Sequence, residues 1–188
     1  TMFIATYGLG LCSYDGEEFT YWDKDAGIAE SQIWSLLRDH QGDIWIGTWG
    51  EHIYRWSNGW MHRAILSNEM TCGPAMSMVE DRNEQVWIGT WGKGLLCLAG
   101  EKARYYDATT GLQNEKVLDV WVDHYDKVWV STSGGGVHVI QPSPMSWMNV
   151  ASVLKSNKIR AVASNNKGDI WLASHGSGVV VLKDNEVF

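Results

Sequence analysis

The chain has 188 residues, with 15 basic and 22 acidic side chains, and its residues are 45% hydrophobic and 20% charged. That is the balance of a globular domain and excludes a disordered tail or a collagen-like rod; no run nears the ~18 apolar residues of a membrane span, so no direct membrane insertion is expected. A net charge of −7 speaks against nucleic acid as a partner, because phosphate binding is driven by Lys and Arg.

The chain opens on Met2-Phe3-Ile4-Ala5-Thr6-Tyr7-Gly8. The segment reads as a strand rather than a secretory leader, so composition leaves the compartment unread. The same pattern returns as Trp45-Ile46-Gly47-Thr48-Trp49-Gly50, Trp87-Ile88-Gly89-Thr90-Trp91-Gly92, Trp129-Val130-Ser131-Thr132-Ser133-Gly134 and Trp171-Leu172-Ala173-Ser174-His175-Gly176. The hydroxyl positions 6, 48, 90, 132 and 174 keep a constant spacing of 42 residues, without insertion or deletion. A fixed period of this length marks a repeat architecture.

Inside one repeat the hydrophobic period is two. Val117–Val122, Lys127–Thr132, Val137–Ile140 and Met145–Met148 read as four short strands, broken by Asp123–Asp126, Ser133–Gly136 and a link with Pro142 and Pro144. Four strands per ~40–45 residues make the blade of a β-propeller, so the chain is predicted to be all-β. Blade boundaries fall near 1–32, 33–74, 75–116, 117–158 and 159–188, one domain of about 4.5 repeats. Its innermost strands are Ile33–Leu37, Ala75–Val79, Val117–Val122 and Ile159–Ala163, and Glu186–Phe188 opens a fourth strand. That phase predicts an open fragment, or a ring completed by other copies or by the remainder of the same propeller.

A lone blade cannot bury both faces, but stacked blades can. Phe3, Trp45, Trp87, Trp129 and Trp171 share one phase and are predicted to fill the space between blades. The small residues before the hydroxyl, at 5, 47, 89, 131 and 173, keep clear of the neighbouring blade. Gly8, Gly50, Gly92, Gly134 and Gly176 fall in a turn expected to need positive φ. Asp39, Asp81, Asp123 and Asn165 recur between the first two strands, where their side chains accept turn amides. Cys12, Cys72 and Cys97 are odd in number and widely spaced, which suits small semi-buried side chains better than disulfides or zinc ligands.

Ile33-Trp34-Ser35-Leu36-Leu37-Arg38-Asp39-His40-Gln41-Gly42-Asp43-Ile44-Trp45-Ile46-Gly47-Thr48 resembles the two-component regulator propeller repeat, as does Tyr105–Val117 followed by Asp123 and Val128–Thr132. Shared elements are a Gly-Leu pair, a link ending in Asn, an aliphatic strand, Asp-x-x-Gly, and aliphatic-Trp-aliphatic-Gly-Thr. The sequence departs where Asn165 replaces Asp, Ser174 replaces Thr, and Ser67-Asn68-Glu69-Met70 lacks the Gly-Leu pair. The resemblance implies a periplasmic or extracellular ligand-sensing module of a bacterial regulator, with oligosaccharides or other nutrients as ligands and its signalling output elsewhere.

In a propeller, the links between blades and the turns between second and third strands share one face. The position after the repeated hydroxyl reads Tyr7, Trp49, Trp91, Ser133 and His175. Exposed rings there suit stacking on a pyranose. Gln32, Trp34, Glu115, Lys116, Asn157, Lys158 and Arg160 lead into the innermost strands. Arg160 holds a phase otherwise filled by Trp34, Met76 and Leu118, and so is expected in the solvated channel, facing an anionic or hydroxyl-rich ligand. The candidate ligand-binding residues are Tyr7, Trp49, Trp91, Lys93, Lys116, Asn157, Arg160 and His175. Each also has a plain structural reading, as packing on its own turn or as a solvated side chain at the mouth. No histidine pair has metal-ligand spacing, and no nucleophile elbow, phosphate loop or CxxC occurs. Neither catalytic residues, a metal nor a cofactor is therefore assigned.

Three function classes remain: a non-catalytic sensing module, for carbohydrate among other ligands; an enzyme resembling virginiamycin-lyase propellers, with His175 at the mouth; and a structural or engineered repeat assembly without a ligand. Fold alone does not choose among them.

Overall fold

The computed structural model describes residues 1–64, 71–100, 102–140, 146–183 and 186–187. The expectations placed on Ser67–Met70, Pro142, Pro144, Met145 and Phe188 lie outside these residues.

Alternating apolar and polar residues broken by Gly and Asp give short antiparallel strands. Blade 1 holds β1 (Met2–Ala5), β2 (Leu11–Tyr14) and β3 (Phe19–Trp22). Blade 2 holds β4 (Ile33–Arg38), β5 (Ile44–Thr48), β6 (Ile53–Ser57) and β7 (Trp60–Arg63); blade 3 holds β8 (Ala75–Glu80), β9 (Val86–Thr90), β10 (Leu95–Ala99) and β11 (Lys102–Tyr106). Blade 4 holds β12 (Val117–Val122), β13 (Val128–Thr132), β14 (Val137–Ile140) and β15 (Ser146–Met148), and blade 5 holds β16 (Ile159–Ser164), β17 (Ile170–Ser174), β18 (Val179–Lys183) and β19 (Glu186–Val187). In every blade sequence neighbours are sheet neighbours. The inner strands β4, β8, β12 and β16 touch in succession, so the sheets form a β-propeller arc that is open rather than a closed ring.

Four hydrophobic clusters fill the four blade interfaces. Trp45 packs with Ala75, Met78, Val86 and Ile88 of the next blade, Trp87 with Val117, Val120, Val128 and Val130, and Trp129 with Ile159, Val162, Ile170 and Leu172. Between blades 1 and 2, Phe3 packs against Ile33, Ile44, Ile46 and Tyr54. Burying side chains of this size contributes about 1.5–3 kcal/mol each. Trp171 departs from the expected pattern: among the described residues no sheet packs on the outer face of blade 5, and Trp171 is 44% exposed. A Cβ on Gly89 would lie 2.6 Å from Val117 Cγ1 and 2.9 Å from Val120 Cγ2, which is why the phase before the hydroxyl stays small.

The turn aspartates do more than close their turns. Asp39, Asp81 and Asp123 each accept two turn amides on Oδ1 and the indole N–H of Trp45, Trp87 or Trp129 on Oδ2, at 2.9, 2.8 and 2.8 Å. In blade 5 Asn165 accepts its two amides, but its Nδ2 donates to Asp169, so Trp171 loses this acceptor as well as its neighbour. Near the axis Ser77 Oγ donates to Asp119 Oδ1 at 2.7 Å, and the Val162 amide donates to Oδ2 at 2.8 Å. Asp119 thus ties blade 4 to both neighbours. Burial pushes its carboxyl upward, opposed by those hydrogen bonds.

Candidate functional site

The mouth is built by one device used in each blade. The hydroxyl ending the second strand donates across its turn: Thr48 to His52 O at 2.9 Å, Thr90 to Gly94 O at 2.8 Å, Thr132 to Gly136 O at 3.0 Å and Ser174 to Gly178 O at 3.0 Å. The next residue is held by its backbone beside the lead-in to an inner strand. The amides of Trp49, Trp91, Ser133 and His175 donate to the carbonyls of Gln32, Pro74, Lys116 and Lys158 at 2.8–2.9 Å. Bridges Tyr7↔Gln32, Trp91↔Lys116 and Ser133↔Lys158 then join each turn to the following blade.

A second device aims the lead-in side chains. The ladder slips by one residue between Ile33 and Ser35, Ala75 and Ser77, Val117 and Asp119, and Ile159 and Ala161. The extra residue of each bulge is Trp34, Met76, Leu118 or Arg160. A bulged residue leaves the alternation of its strand and can be re-aimed.

These two devices assemble a row of aromatic rings. Tyr7 meets Trp34 edge-on at 6.3 Å, Trp34 meets Trp49 at 5.0 Å, and Trp49 meets Trp91 at 6.3 Å between centroids. Tyr7 is 71% exposed, Trp34 44% and Trp49 38%, so the rings are presented to solvent although they touch one another. Lys116 Nζ sits 5.0 Å above the Trp91 ring, a cation–π contact that closes the row. Tyr7, Trp49, Trp91 and Lys116 are therefore brought together, and Trp34, which the alternation alone did not place among the stacking rings, joins them through its bulge.

Beyond Lys116 the mouth turns basic. Lys158 stands at the phase of Lys116, but its bridge partner is Ser133 rather than a ring. Arg160 is exposed and makes no hydrogen bond or ion pair among the described residues. His175 is exposed at the Trp49 and Trp91 phase. Asn157 lies in the link before Lys158: its carbonyl accepts the Gly136 amide at 2.9 Å, and its buried Oδ1 has no partner among the described residues.

Lys93 is turned elsewhere. Its ammonium bonds Glu51 Oε2 and Thr71 O, each at 3.1 Å. Glu51 holds the same phase one blade earlier, and Thr71 and Lys93 together keep its carboxyl below the usual range. The turn of blade 2 departs from the others. Gly50 lacks the expected positive φ, and its Cβ would lie 2.5 Å from Glu30 Cγ, so glycine there gives room to Glu30. Glu30 bonds the Tyr54 hydroxyl and His52 Nδ1, the latter at 3.0 Å; burial first, then Glu30, pushes the Tyr54 hydroxyl up to about 12.

Other titratable groups serve the core. Cys12, Cys72 and Cys97 are buried and free, and burial pushes Cys72 up to about 12 and Cys97 to about 11. His138 is fully buried in blade 4, with Nε2 accepting the Gln113 amide at 3.0 Å. Tyr54, one repeat-pair earlier, takes the Ala29 amide in the same way. On the opposite end of the blades His40 Nδ1 meets Glu80 at 2.7 Å, and Glu80 holds the His40 ring above its usual pKa. Among the described residues no group of three His, Cys, Asp or Glu side chains is arranged to hold a metal ion.

Residues 27–50, the link into blade 2 and its first two strands, match the model of the two component regulator propeller family. That stretch is similar to the family's repeat. No curated protein matches the sequence. Among solved structures, the arc is similar to the extracellular domains of two proteins from B. thetaiotaomicron named as hybrid two component systems. One is 17% identical with a TM-score of 0.80, covering 97% of this chain and 25% of the other; the second is 16% identical with a TM-score of 0.81, covering 97% and 28%. Virginiamycin B lyase from Staphylococcus aureus is similar at 12% identity and a TM-score of 0.78, covering 96% of this chain and 62% of the enzyme. At these identities the likenesses show the propeller fold. The chain spans about a quarter of the length of the two regulator structures. Among the described residues no helix is long and apolar enough to cross a membrane.

Proposed function

We propose that this arc is a non-catalytic sensing module of an extracytoplasmic regulator and that it binds carbohydrate at the mouth. One observation carries the reading: four aromatic side chains from three successive blades stand in a row, partly open to solvent, with centroids 5.0–6.3 Å apart. The C–H face of a pyranose packs on such rings, and rings fixed in advance lose little entropy on binding. The repeat match and the extracellular regulator neighbours support the sensing role and its compartment. In the same reading the open faces of blades 1 and 5 are covered by further blades or by other copies.

Calorimetric titration of the 188-residue chain against oligosaccharides of several backbones tests the assignment. At least one backbone should bind, and Trp49→Ala with Trp91→Ala should weaken it about tenfold or more, the loss of ~1.4 kcal/mol or more of stacking. Unchanged affinity in a folded double variant would remove the mouth as the site.

A further inference from the structure

The mouth is asymmetric. Blades 1 to 3 supply Tyr7, Trp34, Trp49 and Trp91. The lead-ins to blades 4 and 5 supply Lys116, Lys158 and Arg160, in a chain whose net charge is −7. Backbone geometry keeps this basic arc on the same rim as the rings: Ser133 and His175 bond the carbonyls of Lys116 and Lys158 at 2.8 and 2.9 Å, as Trp49 bonds that of Gln32. Arg160 is the bulged residue of β16, at the phase where Trp34 reaches the ring row.

Two of the acidic side chains nearby have partners of their own. Glu51 is paired with Lys93, and Glu30 with Tyr54 and His52. Glu115, exposed in the link beside Lys116, reaches no closer than 3.5 Å to the Ala108 amide with Oε1. Among the described residues Lys116 Nζ rests over the Trp91 ring without a hydrogen bond or ion pair, and Arg160 has neither, so both heads are available to a ligand anion. A guanidinium matches a carboxylate or sulfate through paired N–H groups.

Resting on the carbohydrate reading above, we infer that the ligand is an acidic oligosaccharide, with one pyranose against the Trp34 and Trp49 rings, which are tilted 48° to each other, and an anionic substituent farther along the chain held by Lys116, Lys158 and Arg160. Uronates and sulfated sugars share this chemistry, and the probes separate them.

The test compares trigalacturonate, its methyl ester and a sulfated galactan tetrasaccharide by titration at low and high salt. One or both acidic probes should bind about tenfold tighter than the ester, with the advantage lost at high salt and in Lys158→Gln with Arg160→Gln. The acidic probe that keeps the advantage identifies the anion. Binding of ester and acids with equal affinity, or an advantage that survives the double substitution, overturns the acidic-ligand inference and leaves the carbohydrate reading standing. Binding of no probe, together with no response to any neutral backbone in the panel above, overturns both.

Discussion

An indole N–H buried between two sheets needs an acceptor, and Asp81 supplies one to Trp87 at 2.8 Å while its other oxygen takes two turn amides. An amide in place of the carboxylate would turn an N–H toward the indole. Asp81→Asn should therefore cost about 1–3 kcal/mol, read as a lower urea midpoint at unchanged slope. Blade 5 already carries this exchange in Asn165, and its Trp171 is exposed. His138 makes a second prediction. Burial pushes its pKa down to about 4, against ~6.5 in an unfolded chain. Above pH ~6.5 both states are neutral and the residue adds no pH dependence. As pH falls from there toward 4, the unfolded chain takes up a proton that the folded one refuses, so stability declines by on the order of 3 kcal/mol. His138→Tyr keeps an acceptor for Gln113, as Tyr54 does for Ala29, and should flatten the denaturation midpoint across that pH range.

At the scale of the element, the mouth turns depend on backbone room as much as on side chains. Gly94 has φ +74°, and a Cβ there would run into the Tyr106 carbonyl; Gly176 has φ +86° with open space around it. Gly94→Ala should cost about 2–3 kcal/mol and Gly176→Ala about 1 kcal/mol, a difference visible in thermal midpoints. The blade was legible because period two, a 42-residue spacing and the Trp, small and hydroxyl phases all encode local geometry. Three things were not. The Asp–Trp hydrogen bond runs from a turn to the strand that follows it, although Asp39/Trp45, Asp81/Trp87 and Asp123/Trp129 share a six-residue spacing that hints at it. Gly50 fits the repeat yet serves Glu30, a partner that only the fold brings near. Trp34 joined the ring row through a bulge, and bulges leave no mark in hydrophobic alternation.

Across the whole molecule, stacked blades convert a repeat into a rim whose composition changes with angle: rings on blades 1 to 3, cations at the lead-ins to blades 4 and 5. Tyr7, Trp49, Trp91 and His175 were visible as occupants of one recurring position and Arg160 as a break in another; their company was not, because adjacency around the axis depends on how the blades stack. Lys93 shows the limit, since its phase is that of the mouth turns while its head is bound to Glu51. The most direct measurement is a crystal structure of the chain soaked with trigalacturonate or the sulfated tetrasaccharide. A pyranose should lie against Trp34 and Trp49, with an anionic group directed to Lys116 and Arg160. Sugar density on the opposite end of the blades, or a mouth empty beside an occupied site elsewhere, would contradict it.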